Sequence, residues 1–203
     1  ICGDSNLTAA FAEKEDIHKR TAALVFNVPE DKVDSDMRRK AKEVNFGILY
    51  GIGVFGLKTR LGIPQNHAKE IIDTYFKNFS KVKEFMESSK DSAKKLGYAE
   101  TILGRRRYLK NINSNNSLIR QFEERVAINM PIQGTAADMI KLAMINIFRE
   151  FNKRKLKSKM LLQVHDELLF DVEKSELDEV KEIVKRLMEN ALELNVPVLV
   201  EIG

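Results

Sequence analysis

The sequence predicts an α+β fold that is mainly helical and contains small antiparallel sheets. Apolar residues recur at helical spacing in three long segments, residues 36–56, 65–96 and 117–148. In residues 98–108 and 159–173, short strand-like runs instead flank a turn sequence, which is the pattern of β-hairpins. Because the helical segments are much longer than the hairpins, helices are expected to dominate the fold.

Composition allows one medium domain or two small subdomains. The chain has 203 residues, of which 43% are hydrophobic, so it can bury a sizeable core. Its net charge of +4 is small beside 34 basic and 30 acidic residues. Basic residues cluster at Arg38–Lys42, Arg105–Lys110 and Lys153–Lys159, while acidic residues gather between Glu173 and Glu182. This asymmetry is expected if one face meets an anion.

Cysteine content and hydropathy bear on the compartment. The single cysteine, Cys2, cannot form an intrachain disulfide, which favours a reducing compartment such as the cytoplasm. No run approaches the roughly 18 to 20 apolar residues of a membrane span, and no signal-peptide pattern opens the chain. A soluble protein is expected. The start at Ile1 and the strand-like end VPVLVEIG suggest a fragment of a longer chain.

The stretch from Asp36 to Gly56 predicts a helix with two different faces. On its front, two basic residues and then two aromatic residues follow one another at intervals of four. We call this set the front stripe: Arg38, Lys42, Phe46 and Tyr50. The back of the helix carries apolar residues: Met37, Ala41, Val44, Ile48 and Phe55. Two cations followed by two rings suit a nucleotide, because cations bind a polyphosphate and flat rings stack on a base. A solvated basic helix whose aromatic residues pack in the core is the alternative.

Four glycines thin out the second half of this helix: Gly47, Gly51, Gly53 and Gly56. Each costs up to about 1 kcal/mol in a helix interior, so the helix is expected to bend or to approach something closely. The spacing R-x3-K-x3-F-G-x2-Y-G, which starts at Arg38, resembles the nucleotide-binding helix of the family A DNA polymerases, the DNA polymerase I type. The length of this motif makes chance a poor explanation.

The segment before the central helix predicts one or two helices from Asn6 to Phe26, with a break at Asp16–His18. A turn follows at Asn27–Asp34, and Asp34 or Ser35 is expected to cap the central helix. A histidine near a helix start is commonly a capping or packing residue. The family resemblance implies instead that His18 lies near the triphosphate of the incoming nucleotide.

After the central helix, a short helix, a loop at Gly62–Pro64 and a long helical stretch are predicted, without assigned chemistry. Residues Tyr98–Tyr108 predict two short strands around a tight turn at Gly104. The turn contains three consecutive arginines, which ordinarily mark a solvated loop. Beside a phosphate-binding helix they become a candidate for the nucleic-acid backbone, with Arg105 as the proposed contact. A polar loop at Asn111–Ser117 follows.

Two further helices, broken at Pro131 and resuming near Thr135, are predicted next. Arg125 and Asn129 share a helix face, and Gln133 continues in the same direction. Their donors match the N3 and O2 acceptors that every base pair shows in the minor groove. A polar helix seam is the alternative. The string RVAINMPIQGTAA, which starts at Arg125, resembles the family's primer-template helix.

The segment Lys159–Glu173 predicts a hairpin with acidic residues at or near its tip. Its apolar strands are expected to be buried while the tip stays open; a solvated acidic turn is the alternative. The string QVHDE resembles the family's second catalytic motif. That resemblance implies that Asp166 binds the divalent ions, that Glu167 lies nearby, and that His165 lies close to the primer end.

The last part predicts an amphipathic helix from Lys174 to Leu194, with Ser175 and Asp178 as an approximate capping box. Residues 196–203 are expected to form a strand that joins the hairpin's sheet.

The resemblance implies the right-hand polymerase architecture, with residues 1–30 as connecting helices, 31–110 as fingers and 111–203 as part of the palm. It implies template-directed DNA synthesis in replication and repair, in which a primer 3′ hydroxyl attacks the α-phosphate of a deoxynucleoside triphosphate. Two Mg²⁺ ions take part, and the catalytic residues are Asp166, Lys42 and Glu167. The partners implied are a primer-template DNA duplex, deoxynucleoside triphosphates and the remaining domains of the parent polymerase.

One departure from the family pattern concerns the metals. The family's other metal-binding aspartate, and the glutamate that blocks ribonucleotides, belong to a motif that lies before the point where this chain begins. The second carboxylate ligand is therefore expected outside these residues. The 203 residues alone are expected to bind nucleotide and duplex weakly and not to polymerise.

Two other functional classes fit part of the sequence. A non-catalytic nucleic-acid-binding module would bind with a steep salt dependence and would not need Asp166. A reverse transcriptase or a single-subunit RNA polymerase would share the metal-bearing hairpin. An RNA polymerase is expected to carry tyrosine where this chain has Phe46, so the sequence favours DNA copying.

Overall fold

A computed structural model describes residues 1–13 and 15–203; Lys14, inside the first predicted helical segment, lies outside the described residues. The described chain forms two compact units, residues 1–134 and 135–203. The predicted division into 1–30, 31–110 and 111–203 stays a prediction. The predicted α+β class, mainly helical with small antiparallel sheets, is confirmed.

Helices and two short strands make up the first unit. The helices are α1 Ser5–Ala12, α2 Ile17–Phe26, α3 Ser35–Leu49, α4 Val54–Leu61, α5 Gln65–Asn78, α6 Ser80–Leu96 and α7 Ser117–Asn129. Strands β1 Tyr98–Glu100 and β2 Arg106–Tyr108 pair antiparallel, with Tyr98 opposite Tyr108. The turn between these strands contains Gly104 at φ +79°, as predicted. A π-helical segment, Met130–Gly134, ends the unit.

Helix α3 begins and ends for local reasons. The Asp34 carboxylate caps it by accepting a hydrogen bond from the Met37 N–H at 2.8 Å, as expected. The predicted extent to Gly56 is wrong, because α3 ends at Leu49 and α4 begins at Val54. Gly51 lies between them at φ +76°, a left-handed conformation that glycine adopts without strain.

The break moves Phe55 out of the predicted apolar back. Phe55 lies on α4 with 72% of its surface exposed, so its assignment to that back was wrong. The remaining back residues behave as predicted: Ala41, Val44 and Ile48 are buried, and Met37 is half-buried. The α3 back therefore anchors the first unit's main core.

That core also takes residues from α4, α5 and α6. The predicted long helical stretch divides at Phe79 into α5 and α6, and Phe79 itself is buried. The buried members of this core are Val44, Ile48, Leu57, Ala68, Ile71, Tyr75, Phe79 and Val82. A second, smaller cluster packs α6, the β1–β2 hairpin and α7 through Ala93, Ala99, Leu109, Ile112 and Ala127.

The predicted break at Pro131 takes the form of a π-helical segment, and α8 begins at Thr135 as expected. Proline has no N–H and cannot donate the usual helical bond. The β1–β2 turn packs on this segment: the Arg105 Nη2 donates to the Gly134 carbonyl at 2.8 Å. A Cβ added to Gly134 would lie 2.6 Å from the Thr101 Cγ2. Gly134 therefore allows the turn and the π-helical segment to touch.

The second unit consists of α8 Thr135–Arg154, the hairpin of β3 Lys159–Val164 and β4 Glu167–Asp171, and α9 Leu177–Glu189. The strands pair antiparallel, with a register shift between Met160 and Leu162. Residues of α8 and α9 form the core: Ile147, Phe151, Val180, Ile183 and Val184.

The expectation that the hairpin's apolar strands would be buried is wrong for one face. Leu168 and Phe170 pack on the core of the second unit. The other apolar side chains of the hairpin are exposed: Leu161, Leu162, Val164 and Leu169. A two-stranded sheet has two faces, and the second unit covers only one of them.

The C-terminal predictions also need correction. Helix α9 begins at Leu177, after a 3₁₀ turn, and ends at Glu189 rather than Leu194. Ser175 does not cap it, and the Glu176 carboxylate instead accepts from the Ser158 N–H at 2.9 Å and the Ser158 Oγ at 2.7 Å. Residues 196–203 form no strand. Pro197 has no N–H to give to a sheet.

Within residues 1–13 and 15–203, no helix combines the length and the apolar character needed to cross a bilayer.

We expect Gly134→Ala to lower the free energy of unfolding by about 1–3 kcal/mol, because the new Cβ collides with the Thr101 methyl. Alanine favours a helix over glycine by up to about 1 kcal/mol. A net loss of unfolding free energy would therefore show that the steric clash outweighs the gain in helix propensity. Urea denaturation provides the measurement.

A double-mutant cycle identifies the cause of that loss. Thr101→Ser removes the Cγ2 methyl but keeps the hydroxyl that accepts from the Arg105 N–H. The cost of Gly134→Ala should shrink in the Thr101→Ser background. An equal cost in both backgrounds would exclude this collision as the cause.

Candidate functional site

The front stripe of Arg38, Lys42, Phe46 and Tyr50 is exposed; its first three residues lie on α3, and Tyr50 is the residue at the C-terminal cap of that helix. Phe46 and Tyr50 keep 40% and 39% of their surface exposed, and their rings stack at 6.0 Å between centroids with an interplanar angle of 28°. Large rings are more often buried. Two adjacent exposed rings with two cations on the same helix form a surface suited to a flat, negatively charged ligand.

Residues from α2 extend the front stripe. Asp16 caps α2 by accepting from the His18 N–H at 3.0 Å and the Lys19 N–H at 3.1 Å. Its other oxygen accepts from the Arg38 Nε at 2.5 Å. The His18 ring lies 5.7 Å from the Phe46 ring. The structure therefore brings the predicted residue His18 together with the front stripe.

These contacts shift the pKa of Asp16, which caps α2, and of His18, which lies on α2. Burial raises the pKa of the Asp16 carboxyl, but hydrogen bonds from Arg38 and from the Lys19 and His18 N–H groups outweigh it, so the pKa lies below its ordinary value. Burial lowers the pKa of His18; Asp16 opposes this shift, and Arg38 and Lys42 add to it. The surroundings therefore favour the ionised form of Asp16 and the neutral form of His18.

The cations of α3 differ in how they are paired. Arg39 pairs with Asp36 at 2.6 Å and with Glu43 at 3.0 Å, and Lys40 pairs with Asp36 at 2.8 Å. Within the part of the chain that the structure describes, Lys42 forms no ion pair. Its ammonium group is thus the one on this helix most available to an anion.

The end of the front stripe meets α7. A Cβ added to Gly51 would lie 3.2 Å from the Arg125 Cγ and 3.7 Å from the Ile128 Cδ1. Glycine at this position therefore allows the turn after α3 to approach the helix that carries Arg125. The close approach expected from the glycine content occurs here.

The three predicted minor-groove residues are placed on and after α7. Arg125 and Gln133 are exposed, while Asn129 is half-buried. The Asn129 Oδ1 is buried and accepts no hydrogen bond from the residues described. An unpaired buried acceptor costs about 1–3 kcal/mol, which a ligand that donates to it would relieve.

The three consecutive arginines have different surroundings: Arg105 lies in the β1–β2 turn, and Arg106 and Arg107 lie in β2. Arg105 donates to the Gly134 carbonyl, as described above. Arg106 pairs with Glu100 at 3.1 Å and lies 4.4 Å from the centre of the Tyr98 ring. Arg107 is exposed and makes no ion pair with any described residue. The sequence alone could not distinguish them, because their partners lie on other elements.

In the second unit, His165 and Asp166 form the turn between β3 and β4, and Glu167 is the first residue of β4, opposite Val164. All three predicted residues are exposed. His165 has φ 55°, and its carbonyl accepts from the Gln163 Nε2 at 2.8 Å. The acidic tip is therefore open, as predicted.

The donor set at this tip suits Mg²⁺ in type but is too small. Asp166 and Glu167 offer carboxylate oxygens, which Mg²⁺ prefers. Among the described residues, no group of three or more His, Cys, Asp or Glu side chains could hold a metal ion. Any further ligands would have to come from substrate, water or other protein segments.

A family model described as DNA polymerase family A matches residues 1–203. The chain belongs to DNA polymerase family A. The family predicted from the front stripe and the two other motifs is thereby confirmed.

Individual relatives of this family A chain agree. It is 48% identical over 201 residues to DNA polymerase I of Bacillus subtilis, a match that covers 99% of this chain and 23% of the relative. It is 45% identical over 203 residues to the thermostable DNA polymerase I of Thermus thermophilus, covering 100% of this chain and 24% of the relative. The chain thus spans about a quarter of the length of these curated relatives.

A solved structure of similar fold is the POL domain of Pol1 from M. smegmatis in complex with a DNA primer-template and dNTP. The two are 43% identical with a TM-score of 0.92, and the match covers 97% of this chain and 35% of that one.

Sequence reasoning missed two residues beside the candidate site, Thr21 and Asn45. Both are buried polar residues next to His18: the Thr21 Oγ1 donates to the Asn45 Oδ1, and the Asn45 Nδ2 lies 2.9 Å from the His18 Nδ1. The available signal was Asn45 itself, a carboxamide between Val44 and Ile48 on the apolar back. A polar side chain at a core position needs a partner.

We expect Arg38→Ala to raise the pKa of both Asp16 and His18. The variant removes the guanidinium that lowers the pKa of Asp16 and the positive charge that lowers the pKa of His18. NMR titration of the Asp16 carboxyl carbon and of the His18 ring provides the measurement.

Arg39→Ala is the matched control, because Arg39 pairs with Asp36 and Glu43. Equal shifts in the two variants would contradict the assigned contacts.

The pKa of Asp16 in the folded state lies below its ordinary value. Ionised Asp16 therefore stabilises the fold at pH values above that ordinary value, and this contribution is lost as the pH falls. Arg38→Ala should diminish the loss.

Proposed function

We propose that this chain binds a deoxynucleoside triphosphate and a primer-template duplex as part of a DNA-directed DNA polymerase of replication and repair. The observation that carries the proposal is the exposed front stripe, with two cations and two stacked rings on one helix of a family A chain. Relatives named DNA polymerase I support it. Because such a polymerase works where the DNA is, and a lone cysteine favours a reducing compartment, we place it in the cytoplasm.

The phosphates of the nucleotide would lie at the cationic end of the front stripe. Lys42 supplies an ammonium group that carries no ion pair among the described residues, and Arg38 supplies a guanidinium held by Asp16 through Nε. His18 lies beside them, and burial lowers its pKa, which favours the neutral ring. Charge-assisted hydrogen bonds from such groups to phosphate are about twice as strong as neutral ones.

The base and sugar would lie at the aromatic end. Phe46 and Tyr50 are partly exposed, with 40% and 39% of their surface open. Stacking of a base on an aromatic ring is worth about 1–3 kcal/mol. The resemblance adds that the ring at position 46 senses the sugar's 3′ position. It also adds that the helix swings in over a correctly paired nucleotide, which makes reaction depend on fit.

The duplex would meet α7 and the π-helical segment. Arg125, Asn129 and Gln133 would contact base edges in the minor groove, where acceptors are common to every base pair and guanine adds an N2 donor. A donor that reached the unpaired Asn129 Oδ1 would satisfy it. Arg105 would contact the backbone near its bond to Gly134, and His165 would lie close to the primer end.

The reaction is nucleotidyl transfer to a primer 3′ hydroxyl. Asp166, with Glu167 beside it, would hold Mg²⁺ at the open tip of the β3–β4 hairpin, and a second carboxylate ligand would come from outside these residues. Bound Mg²⁺ would stabilise charge on the attacking and leaving oxygens. Lys42 would neutralise the phosphates as charge develops on them.

We expect Lys42→Ala to weaken binding of a deoxynucleoside triphosphate by about tenfold or more, because a hydrogen bond to a charged group contributes about 1.5–3 kcal/mol. Isothermal titration of the 203-residue chain provides the measurement. Lys40→Ala is the matched control, since Lys40 is on the same helix and pairs with Asp36. Equal losses in both variants would indicate only a general effect of charge.

We expect Phe46→Tyr to raise the incorporation of 2′,3′-dideoxynucleotides. Primer extension by a chimera, in which these 203 residues replace the matching quarter of the B. subtilis relative, would measure it. Phe55→Tyr is the matched control, because Phe55 is exposed on α4 outside the front stripe. No change on Phe46→Tyr would refute the sugar-sensing role.

The same chimera tests the hairpin tip. Full activity after Asp166→Ala would refute the catalytic role of that tip.

A further inference from the structure

Asn45 is a polar residue in an apolar position. It lies on the back of α3 with 5% of its surface exposed, between the buried Val44 and Ile48. Burying a carboxamide without hydrogen bonds costs about 1–3 kcal/mol by mutational data. Asn45 avoids that cost through contacts with two residues of α2, Thr21 and His18.

The direction of these contacts follows from donor and acceptor chemistry. The Thr21 Oγ1 donates to the Asn45 Oδ1 at 3.0 Å, and Thr21 is only 1% exposed. With Oδ1 on the Thr21 side, the amide nitrogen faces His18, and Nδ2 lies 2.9 Å from the ring Nδ1. An amide nitrogen donates and cannot accept. The His18 Nδ1 must therefore carry a lone pair, and the ring proton lies on Nε2.

We propose that Asn45 is a positioning residue that holds His18 as the neutral Nε2–H tautomer, so that Nε2–H is the donor presented to a nucleotide phosphate. The tautomer follows from contacts inside the chain, whereas its use toward phosphate rests on the proposed function. Asn45 acts through His18 and does not itself touch the nucleotide. Thr21 acts one step further back, as the hydrogen-bond partner of the Asn45 Oδ1.

The surrounding groups agree with a neutral ring. Asp16 is the acidic group that faces His18, and Arg38 and Lys42 are the basic ones. The Phe46 ring lies beside the imidazole at 5.7 Å. A protonated ring would direct an Nδ1–H at the Asn45 amide N–H, so two donors would oppose each other. A neutral Nε2–H can still bond a phosphate oxygen without adding a third cation.

NMR of the chain with ¹⁵N-labelled histidine tests the tautomer directly, above the pKa of the rings. Long-range ¹H–¹⁵N spectra distinguish a protonated from an unprotonated ring nitrogen. We expect His18 to populate one tautomer, with hydrogen on Nε2. The exposed His165 provides an internal reference for a ring without this restraint. Hydrogen on the His18 Nδ1 would overturn the proposal.

Thr21 offers a pair of variants that keep the fold. Thr21→Val is similar in shape and lacks the hydroxyl, so the amide can turn and His18 should become a mixture of tautomers. Thr21→Ser keeps the hydroxyl and should preserve the single tautomer. Asn45→Asp would place an acceptor at Nδ1, which should move the proton there and raise the pKa of His18. The same spectrum for all three variants would overturn the proposal.

Titration with a deoxynucleoside triphosphate then tests the use of the donor. Thr21→Val should weaken binding severalfold and Thr21→Ser should restore it. A changed tautomer with unchanged affinity would overturn the positioning role and leave the proposed function intact. If the wild-type chain bound no nucleotide, the proposed function and the use toward phosphate would both fall, while the spectra would still decide whether Asn45 sets the tautomer.

Discussion

Burial of one face of α3 is the constraint on which the candidate site depends. Val44 and Ile48 are fully or almost fully buried, and burying such side chains contributes about 1.5–3 kcal/mol each. Exposed ion pairs on the same helix contribute about 0–1 kcal/mol each. Packing therefore sets the rotation of the helix about its axis. Once that rotation is fixed, the front stripe can only face outward.

Polar contacts refine what packing has set. Asp36 and Glu43 pair with Arg39 and Lys40 and leave Lys42 available, so one acidic side of the helix selects which cation can meet an anion. Asp16 accepts a hydrogen bond from Arg38, and the Asn45 amide contacts the His18 ring. The same α2–α3 packing thus positions Arg38 and His18 and contributes to the lowered pKa of His18.

Close backbone approaches connect the remaining parts of the first unit. Gly51 allows the turn after α3 to meet Arg125 on α7, and Gly134 allows the π-helical segment to meet the turn that contains Thr101 and Arg105. A Cβ at Gly134 would collide with Thr101, and a Cβ at Gly51 would lie in tight contact with Arg125 at 3.2 Å. In the second unit, the turn of a two-stranded hairpin presents Asp166.

The sequence by itself determined the family, the two faces of α3, the break at Pro131 and the open acidic tip, because these depend on local periodicity, turn chemistry and motif spacing. Tertiary structure decided which face of the β3–β4 hairpin packs on a core and which is exposed. It also decided the partners of Arg105 and Asn45. A sequence pattern shows which residues share a face, but the group across from that face comes from a distant part of the chain.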